Sequence, residues 1–151
     1  MAGNGGIFAG LKILELGAGA AGPVATRYFA DQGATVIRIE SAKRPDFLRM
    51  IHLTPDNPHG LDGSPMFVLM NPNKESVAVN MSEPEGVALV KRLVGWADVV
   101  SENFSPKAMV KWGLDYASLR EQREDLIMVS SCLFGQTGPQ RACDEEGDVT
   151  R

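Results

Sequence analysis

The stretch LKILELGAGAAGPVATRYFADQGATVIRIE, residues 11–40, constrains the fold of this chain more than any other. It begins with an apolar strand pattern and ends with a β-branched one, and a helical pattern lies between them. Gly17, Gly19 and Gly22 stand at the start of the helical pattern with the spacing G-x-G-x-x-G. Two strands joined by a tight turn and one helix predict a right-handed βαβ unit.

The glycine turn has two interpretations when it is taken by itself. Backbone N–H groups at the start of a helix can bind a phosphate, and Glu40 lies where a dinucleotide-binding unit places an acid on a ribose hydroxyl. The glycines can equally serve only to permit a tight turn and close contact between helix and strand. An NAD-binding half of an oxidoreductase and a purely structural turn both stay open at this point.

The remainder of the chain continues the alternation of strands and helices. Strand patterns cover residues 12–16, 35–39, 76–79, 97–100 and 126–130. Helical patterns cover residues 23–32, 106–112 and 115–121, together with a segment that opens at Ser82, its expected N-cap. Gly33 is the expected residue just past the end of the first helix. This alternation predicts an α/β fold with a Rossmann-like, doubly wound, mostly parallel sheet.

Residues 41–72 interrupt this pattern with a proline-rich loop that also holds both histidines. A loop of this length in a compact domain is typical of a functional segment. A short helix or strand is expected within it at residues 66–70, MFVLM. His52 and His59 lack the i, i+4 spacing of a zinc pair and an evident third ligand, so no metal site is expected.

Size and charge limit the classes of function. A chain of 151 residues suffices for one domain, expected over residues 1–139, with a disordered polar tail over residues 140–151. The net charge of −4 argues against nucleic acid as a partner. The N-terminus does not resemble a signal peptide, and no run of about 18 apolar residues could span a membrane, so the cytoplasm is expected. Cys132 and Cys143 are expected to be reduced thiols, with a disulfide left open.

Seven segments carry a more specific signal. They are AGP at 21–23, GATVIRIE at 33–40, NPNKESVAVN at 71–80, PEG at 84–86, ADVVSENFSP at 97–106, WGLDY at 112–116 and FGQTGP at 134–139. In this order and spacing they resemble the family III CoA-transferases over residues 10–139. That family includes formyl-CoA and carnitine CoA-transferases and the α-methylacyl-CoA racemases. The resemblance implies that the opening βαβ unit serves coenzyme A rather than NAD, and that Glu40 simply ends the second strand.

The resemblance also implies a set of CoA-binding positions. Gly19 and Ala20 fall where relatives line the adenosine end of CoA. Lys74 matches a lysine that approaches the nucleotide phosphates. Asn103 and Phe104 match the family's E-N-F motif, which lies at the nucleotide.

Two further positions match the family and two depart from it. Lys111 and Trp112 fall on a basic and apolar pair that flanks CoA in relatives. Ser41 stands where relatives often carry a basic residue on a CoA phosphate, and Glu75 replaces a usual arginine. Three nearby cations could replace the missing charge at Ser41: Arg38, Lys43 and Arg44.

Catalysis in this family uses residues downstream of the F-G-Q-T-G-P segment. The transferases use an aspartate nucleophile, which forms an aspartyl anhydride and then a thioester with CoA, and the racemases use an acid–base pair. Four acidic residues follow the segment without standing in the family's motif: Asp144, Glu145, Glu146 and Asp148. No catalytic residue is therefore assigned, and a truncated, frameshifted or proteolysed copy is a hypothesis that this pattern raises.

The leading interpretation is the N-terminal, CoA-binding portion of an acyl-CoA:carboxylate CoA-transferase, acting on an acyl-CoA and a carboxylic acid. The resemblance implies an interlocked homodimer, or a partner chain that supplies the missing C-terminal part. Three alternatives stay open. They are an α-methylacyl-CoA racemase-like fragment, a non-catalytic CoA-binding or dimerisation module, and the NAD-binding half of an oxidoreductase.

Overall fold

The computed structural model of the chain describes residues 5–132, 135–137 and 139. Within that part, five parallel strands form one sheet in the order β3-β2-β1-β4-β5. The strands are β1 (Lys12–Leu16), β2 (Thr35–Glu40), β3 (Glu75–Ala78), β4 (Val99–Glu102) and β5 (Ile127–Ser130). The chain thus moves outward from β1 in one direction and then from β4 in the other, which confirms the predicted doubly wound α/β fold.

Helices cover the two faces of this sheet. They are α1 (Ala21–Asp31), α2 (Pro65–Met70), α3 (Pro84–Trp96), α4 (Pro106–Trp112) and α5 (Tyr116–Arg120), with 3₁₀ turns at Phe47–Arg49 and Gly60–Gly63. No helix in the described part is both long and apolar enough to cross a membrane. The predicted tail, together with Cys143, lies outside the described residues.

Alternation along the strands divides the core into two clusters. On one face, Ile13 and Val36 pack with Ala30 of α1. On the other face, Leu14 and Leu16 pack in a larger cluster with buried residues of α3, α4 and α5. The register pairs Glu15 of β1 with Arg38 of β2, so two charged residues lie side by side among apolar neighbours.

The end of α1 follows the prediction. Gly33 has a φ of 99°, a left-handed conformation that glycine adopts without strain. Its N–H bonds the carbonyl of Ala30 at 3.1 Å, and the N–H of Ala34 bonds the carbonyl of Phe29 at 3.0 Å. These two bonds form a Schellman motif, which sends the chain directly into β2.

Several predicted boundaries differ from the structure by one or two residues; the first helix, for example, begins at Ala21 rather than at residue 23. The helix α3 begins at Pro84 with Glu83 as its N-cap, because the chain at Ser82 is still in a turn in which its N–H bonds the side chain of Asn80. The strand predicted over residues 97–100 begins two residues later, because the N–H of Ala97 still bonds the last carbonyls of α3.

Candidate functional site

A cavity of about 1060 Å³ opens where the parallel strands end. Its wall is built from the turn after β1, the loop after β2, the segment after β3 and the start of the β4–β5 connection. In doubly wound sheets, ligands bind at this edge, where the strand order reverses between the two central strands. Here those strands are β1 and β4. The fold therefore places the candidate site at the glycine turn and at the residues that follow β4.

The glycine turn is held from the β4 side by Asn103. The amide N–H of Ala18 donates to Asn103 Oδ1 at 3.0 Å, and Asn103 Nδ2 donates back to the carbonyl of Ala18 at 2.7 Å. A Cβ at Gly17 would overlap Oδ1 of Asn103 and lie 2.8 Å from its Cγ. Glycine at position 17 is therefore needed because a side-chain amide fills the space beside it.

The same turn is held from the β2 side by the loop that follows Glu40. The N–H of Gly19 donates to Asp46 Oδ2 at 3.0 Å. Gly19 has a φ of 77°, and a Cβ at this position would lie 2.9 Å from the ring of Phe47. Two backbone N–H groups of the turn, those of Ala18 and Gly19, are thus bonded to acceptors of the protein itself.

A buried charge cluster lies beneath the turn and consists of Glu15, Arg38, Asp46 and Lys74. The guanidinium of Arg38 forms ion pairs with both Glu15 and Asp46, and Lys74 Nζ lies 2.7 Å from Glu15 Oε2. Each of the four side chains is at most 2% exposed. Two opposite pairs of charges balance each other, which is the condition under which ionised side chains are tolerated in a protein interior.

Lys74 is fully occupied within this cluster. Besides Glu15, its ammonium donates to the carbonyl of Pro23 at 2.8 Å and to Asn71 Oδ1 at 3.0 Å. An ammonium has three donors, so all of them are used. Burial lowers the pKa of Lys74, although the nearby carboxylate of Glu15 opposes that shift. In this arrangement Lys74 braces the start of α1 against the loop before β3.

Glu40 is also fully engaged. Both of its oxygens accept hydrogen bonds from Arg49 at 2.8 Å, and one of them also accepts from the hydroxyl of Ser76 at 2.9 Å. Burial by itself would raise the pKa of Glu40, but these hydrogen bonds and the positive charge of Arg49 outweigh it and leave the pKa lowered. The acid at the end of β2 therefore has a structural partner where a dinucleotide-binding unit would place a ribose.

Cationic and aromatic side chains line the outer part of the cavity. Lys43, Arg44 and Lys111 are exposed, and their side chains make no ion pair or hydrogen bond with the described part of the chain. Phe104 and Trp112 meet edge to face with ring centroids 5.3 Å apart. Positive charge beside an aromatic wall suits a ligand that combines phosphates with an aromatic base.

Glu102 ends β4 behind this wall. Its Oε2 accepts from the N–H of Phe104 at 2.9 Å, and its Oε1 accepts from Gln136 Nε2 at 3.3 Å. Burial raises the pKa of Glu102 above its ordinary value of 4.5, despite the hydrogen bonds that favour the carboxylate. The folded chain therefore holds this proton more tightly than the unfolded chain does.

We expect Glu102→Gln to change the pH dependence of stability. Because the pKa is raised on folding, the contribution of Glu102 is fully present below pH 4.5 and is lost as the pH rises through the folded pKa. The stability of the native chain relative to the variant should thus fall as the pH rises from 4.5 toward neutrality. Urea unfolding from pH 4 to pH 8 measures it, with Glu124→Gln as an exposed control. A difference that stays constant or grows with pH would contradict the expectation.

Similarity to known proteins identifies the family of this chain. The model of one family, described as CoA-transferase family III, matches residues 8–146. The chain belongs to CoA-transferase family III. The succinate–glutarate CoA-transferase of Agrobacterium fabrum is 41% identical over 134 residues, which cover 86% of this chain and 33% of that relative. The human succinyl-CoA:glutarate CoA-transferase is 38% identical over 135 residues, which cover 88% of this chain and 30% of that relative.

Solved structures agree with this family III membership. A CAIB/BAIF family protein from Brucella suis superposes with a TM-score of 0.81 at 37% identity, over 91% of this chain and 36% of that one. The chain thus spans about a third of the length of the curated relatives it matches. This likeness supports the α/β fold with its parallel sheet.

The family III resemblance predicted eight CoA-binding residues, and the structure places them in two groups. Four line the cavity or its rim: Ser41, Phe104, Lys111 and Trp112. The other four stand behind the lining: Gly19 and Ala20 in the glycine turn, Asn103 bonded to that turn, and Lys74 in the charge cluster. A direct contact between Lys74 and CoA stays a prediction, and it would require the ammonium to give up one of its three present acceptors.

Two of the proposed substitutes for a basic residue at position 41 remain suitable. Lys43 and Arg44 are exposed at the cavity, and the Ser41 hydroxyl accepts from the N–H of Arg44 at 3.2 Å. Arg38 is buried between carboxylates and is not available to a ligand. Sequence reasoning missed the roles of Glu15 and Asp46. The sequence did carry one signal for the charge cluster: a charged residue lies inside each of the first two apolar strand patterns, Glu15 in one and Arg38 in the other. It carried no such signal for Asp46, which lies in a loop.

Proposed function

We propose that this chain is the CoA-binding portion of an acyl-CoA:carboxylate CoA-transferase. The observation that carries the proposal is the cavity where the strands end, with three cations and an aromatic pair facing it. CoA combines an adenine ring with several phosphates, so it matches both features. The relatives from Agrobacterium fabrum and from human are both CoA-transferases, which supports this ligand.

Each group of cavity residues has a role in this proposal. Phe104 and Trp112 provide the surface against which the adenine packs. Lys43, Arg44 and Lys111 neutralise the phosphates and orient the CoA chain. Asn103 keeps the backbone of the glycine turn in place beneath the nucleotide.

The transfer itself requires groups that the family places after the F-G-Q-T-G-P segment. An aspartate attacks the thioester carbonyl of the acyl-CoA, and CoA leaves as a thiolate. The thiolate then attacks the resulting aspartyl anhydride and releases the first carboxylate, which leaves CoA as a thioester on the enzyme. The acceptor acid takes over the CoA by the reverse steps. We propose that a homodimer or a second chain completes the site, in the cytoplasm.

Neutralising the cations beside Ser41 should weaken CoA binding. We expect the double variant Lys43→Ala/Arg44→Ala to bind CoA about tenfold more weakly than the native chain, because two attractions to phosphate are lost. The affinity of the native chain should also fall more steeply with salt than that of the variant. Isothermal titration calorimetry at two salt concentrations measures both effects.

Lys12→Ala is the matched control for this experiment. Lys12 is the first residue of β1, so it lies at the amino-terminal ends of the strands, whereas the cavity lies at their carboxyl ends. Its ammonium lies 5.9 Å from the ring centroid of Trp96. CoA affinity should be unchanged in this variant. An equal loss in Lys12→Ala would show a non-specific charge effect, and no loss in the double variant would remove these cations from the site.

An activity assay separates the transferase from its alternatives. The chain is mixed with succinyl-CoA and glutarate, alone and with any chain that co-purifies with it. Glutaryl-CoA formed only with the second chain supports a split transferase. CoA binding without turnover in either mixture supports the non-catalytic module. In a separate incubation with an α-methylacyl-CoA, exchange of its α-proton supports the racemase.

A further inference from the structure

The glycine turn contains a carboxylate where a dinucleotide-binding turn would hold a phosphate. In such turns the exposed N–H groups and the start of the helix attract the pyrophosphate. Here the N–H of Gly19 is bonded to Asp46 Oδ2 at 3.0 Å, and that of Ala18 is bonded to Asn103 Oδ1 at 3.0 Å. The spacing G-x-G-x-x-G is kept, but two of the turn's N–H groups, those of Ala18 and Gly19, already bond acceptors of the protein.

The carboxylate of Asp46 is held firmly in this position. Its Oδ2 forms an ion pair with Arg38, and its Oδ1 accepts from the N–H of Leu48 at 2.9 Å, at the start of the 3₁₀ turn. The side chain is 1% exposed. A ligand phosphate could reach Gly19 only by displacing a buried ion pair, and it would meet a like charge on the way.

We propose that Asp46 is a specificity-determining residue that blocks the glycine turn to the pyrophosphate of a dinucleotide. A nucleotide in the cavity would then place its phosphates against the exposed cations that line it, Lys43, Arg44 and Lys111, rather than on the N–H of Gly19. This inference deepens the proposed function, because it assigns the phosphates of CoA to the exposed cations. It also explains why a chain with a dinucleotide fingerprint would reject NAD.

The test compares three variants of the full chain. Asp46→Ala removes the carboxylate and exposes both the N–H of Gly19 and the guanidinium of Arg38 to the cavity. Asp46→Asn removes the charge but keeps an oxygen on Gly19. Glu83→Ala removes a carboxylate that lines the same cavity but stands away from the turn. The probes are inorganic pyrophosphate and ADP-ribose, followed by calorimetry and by the amide resonances of Ala18 and Gly19.

We expect Asp46→Ala to bind both probes at least about tenfold more tightly than the native chain, with a shift of the Gly19 amide resonance. Asp46→Asn should gain less, and Glu83→Ala should leave the Gly19 resonance in place. Equal gains in Asp46→Ala and Glu83→Ala would reduce the effect to net charge and overturn the proposal. So would a folded Asp46→Ala variant that gains no affinity.

The native chain provides a second test that does not depend on the folding of a variant. Pyrophosphate and CoA should leave the Ala18 and Gly19 amide protons bonded to the protein, which their slow hydrogen exchange reports. The proposal would be overturned if pyrophosphate bound the native chain and shifted the Gly19 amide resonance as strongly as it shifts the amide resonance of any other residue. Failure of CoA to bind would instead remove the proposed function, while a gain in Asp46→Ala would still support the role of Asp46.

Discussion

Replacing Gly17 by alanine is expected to lower the free energy of unfolding by roughly 2–3 kcal/mol. The new Cβ would overlap Oδ1 of Asn103 and lie 2.8 Å from its Cγ. Asn103 would have to withdraw, and both of its hydrogen bonds to Ala18 would then be lost. Thermal and urea unfolding of the variant measure the loss.

Gly95→Ala is the matched control for this substitution. Gly95 lies in α3, and a Cβ at this position meets no atom within 4 Å. Alanine is favoured over glycine in a helix by up to about 1 kcal/mol, so this variant should be as stable as the native chain or more so. Gly17→Ala should therefore lower the free energy of unfolding, whereas Gly95→Ala should leave it unchanged or raise it. A Gly17→Ala variant as stable as the native chain would show that Asn103 does not hold the turn.

The second large effect is expected at Arg38. We expect Arg38→Met to lower the free energy of unfolding by roughly 3–5 kcal/mol, because it leaves buried carboxylates without their cation. Methionine retains much of the apolar stem, so the loss would come mainly from charge rather than from packing. Arg38 pairs with Glu15 and Asp46 and lies 3.6 Å from the carboxylate of Glu40. Lys74 can compensate only the carboxylate of Glu15. Asp46 would keep only its bonds to backbone N–H groups.

Arg92→Met provides the reference for this experiment. Arg92 lies on α3 with an exposed side chain, and surface substitutions of this kind change stability by about 0.5 kcal/mol or less. Urea unfolding of both variants at one pH gives the comparison. Equal stabilities of the two variants would mean that the charge cluster contributes nothing that an apolar side chain cannot replace.

Local patterns in the sequence were enough to predict most of the fold. The β-branched run before Glu40, the glycine at position 33 and the prolines that open α3 and α4 all act within one or two turns of chain. The predicted doubly wound parallel sheet was confirmed for this reason. The boundary errors at Ser82 and at Ala97 arose because a neighbouring turn or helix end includes a residue that local propensity assigned to the next element.

The inner part of the site could not be predicted in the same way. Asn103 meets Ala18 across 85 positions of sequence, and Lys74 meets Glu15 across 59. No local pattern encodes such contacts, because they depend on the order of the strands and on their register. The motif resemblance predicted that Lys74 and Asn103 contact CoA, and this stays a prediction. In the structure, the side chains of both residues form hydrogen bonds with other groups of the protein.

The glycine turn illustrates the same distinction. Its spacing predicts a tight turn between strand and helix, and that turn is present. The spacing does not reveal which acceptors its N–H groups meet, and these come from Asp46 in one loop and Asn103 in another. A fingerprint of glycines therefore specifies a backbone path, while the ligand depends on the side chains that reach that path.

CoA binding and the exclusion of NAD are both proposals for this chain, and one experiment tests them together. It is a calorimetric titration of the full chain with CoA and, separately, with NAD. We predict saturable binding of CoA that weakens as salt is raised, and no measurable heat with NAD at the same concentrations. Binding of NAD without binding of CoA would overturn the proposed function.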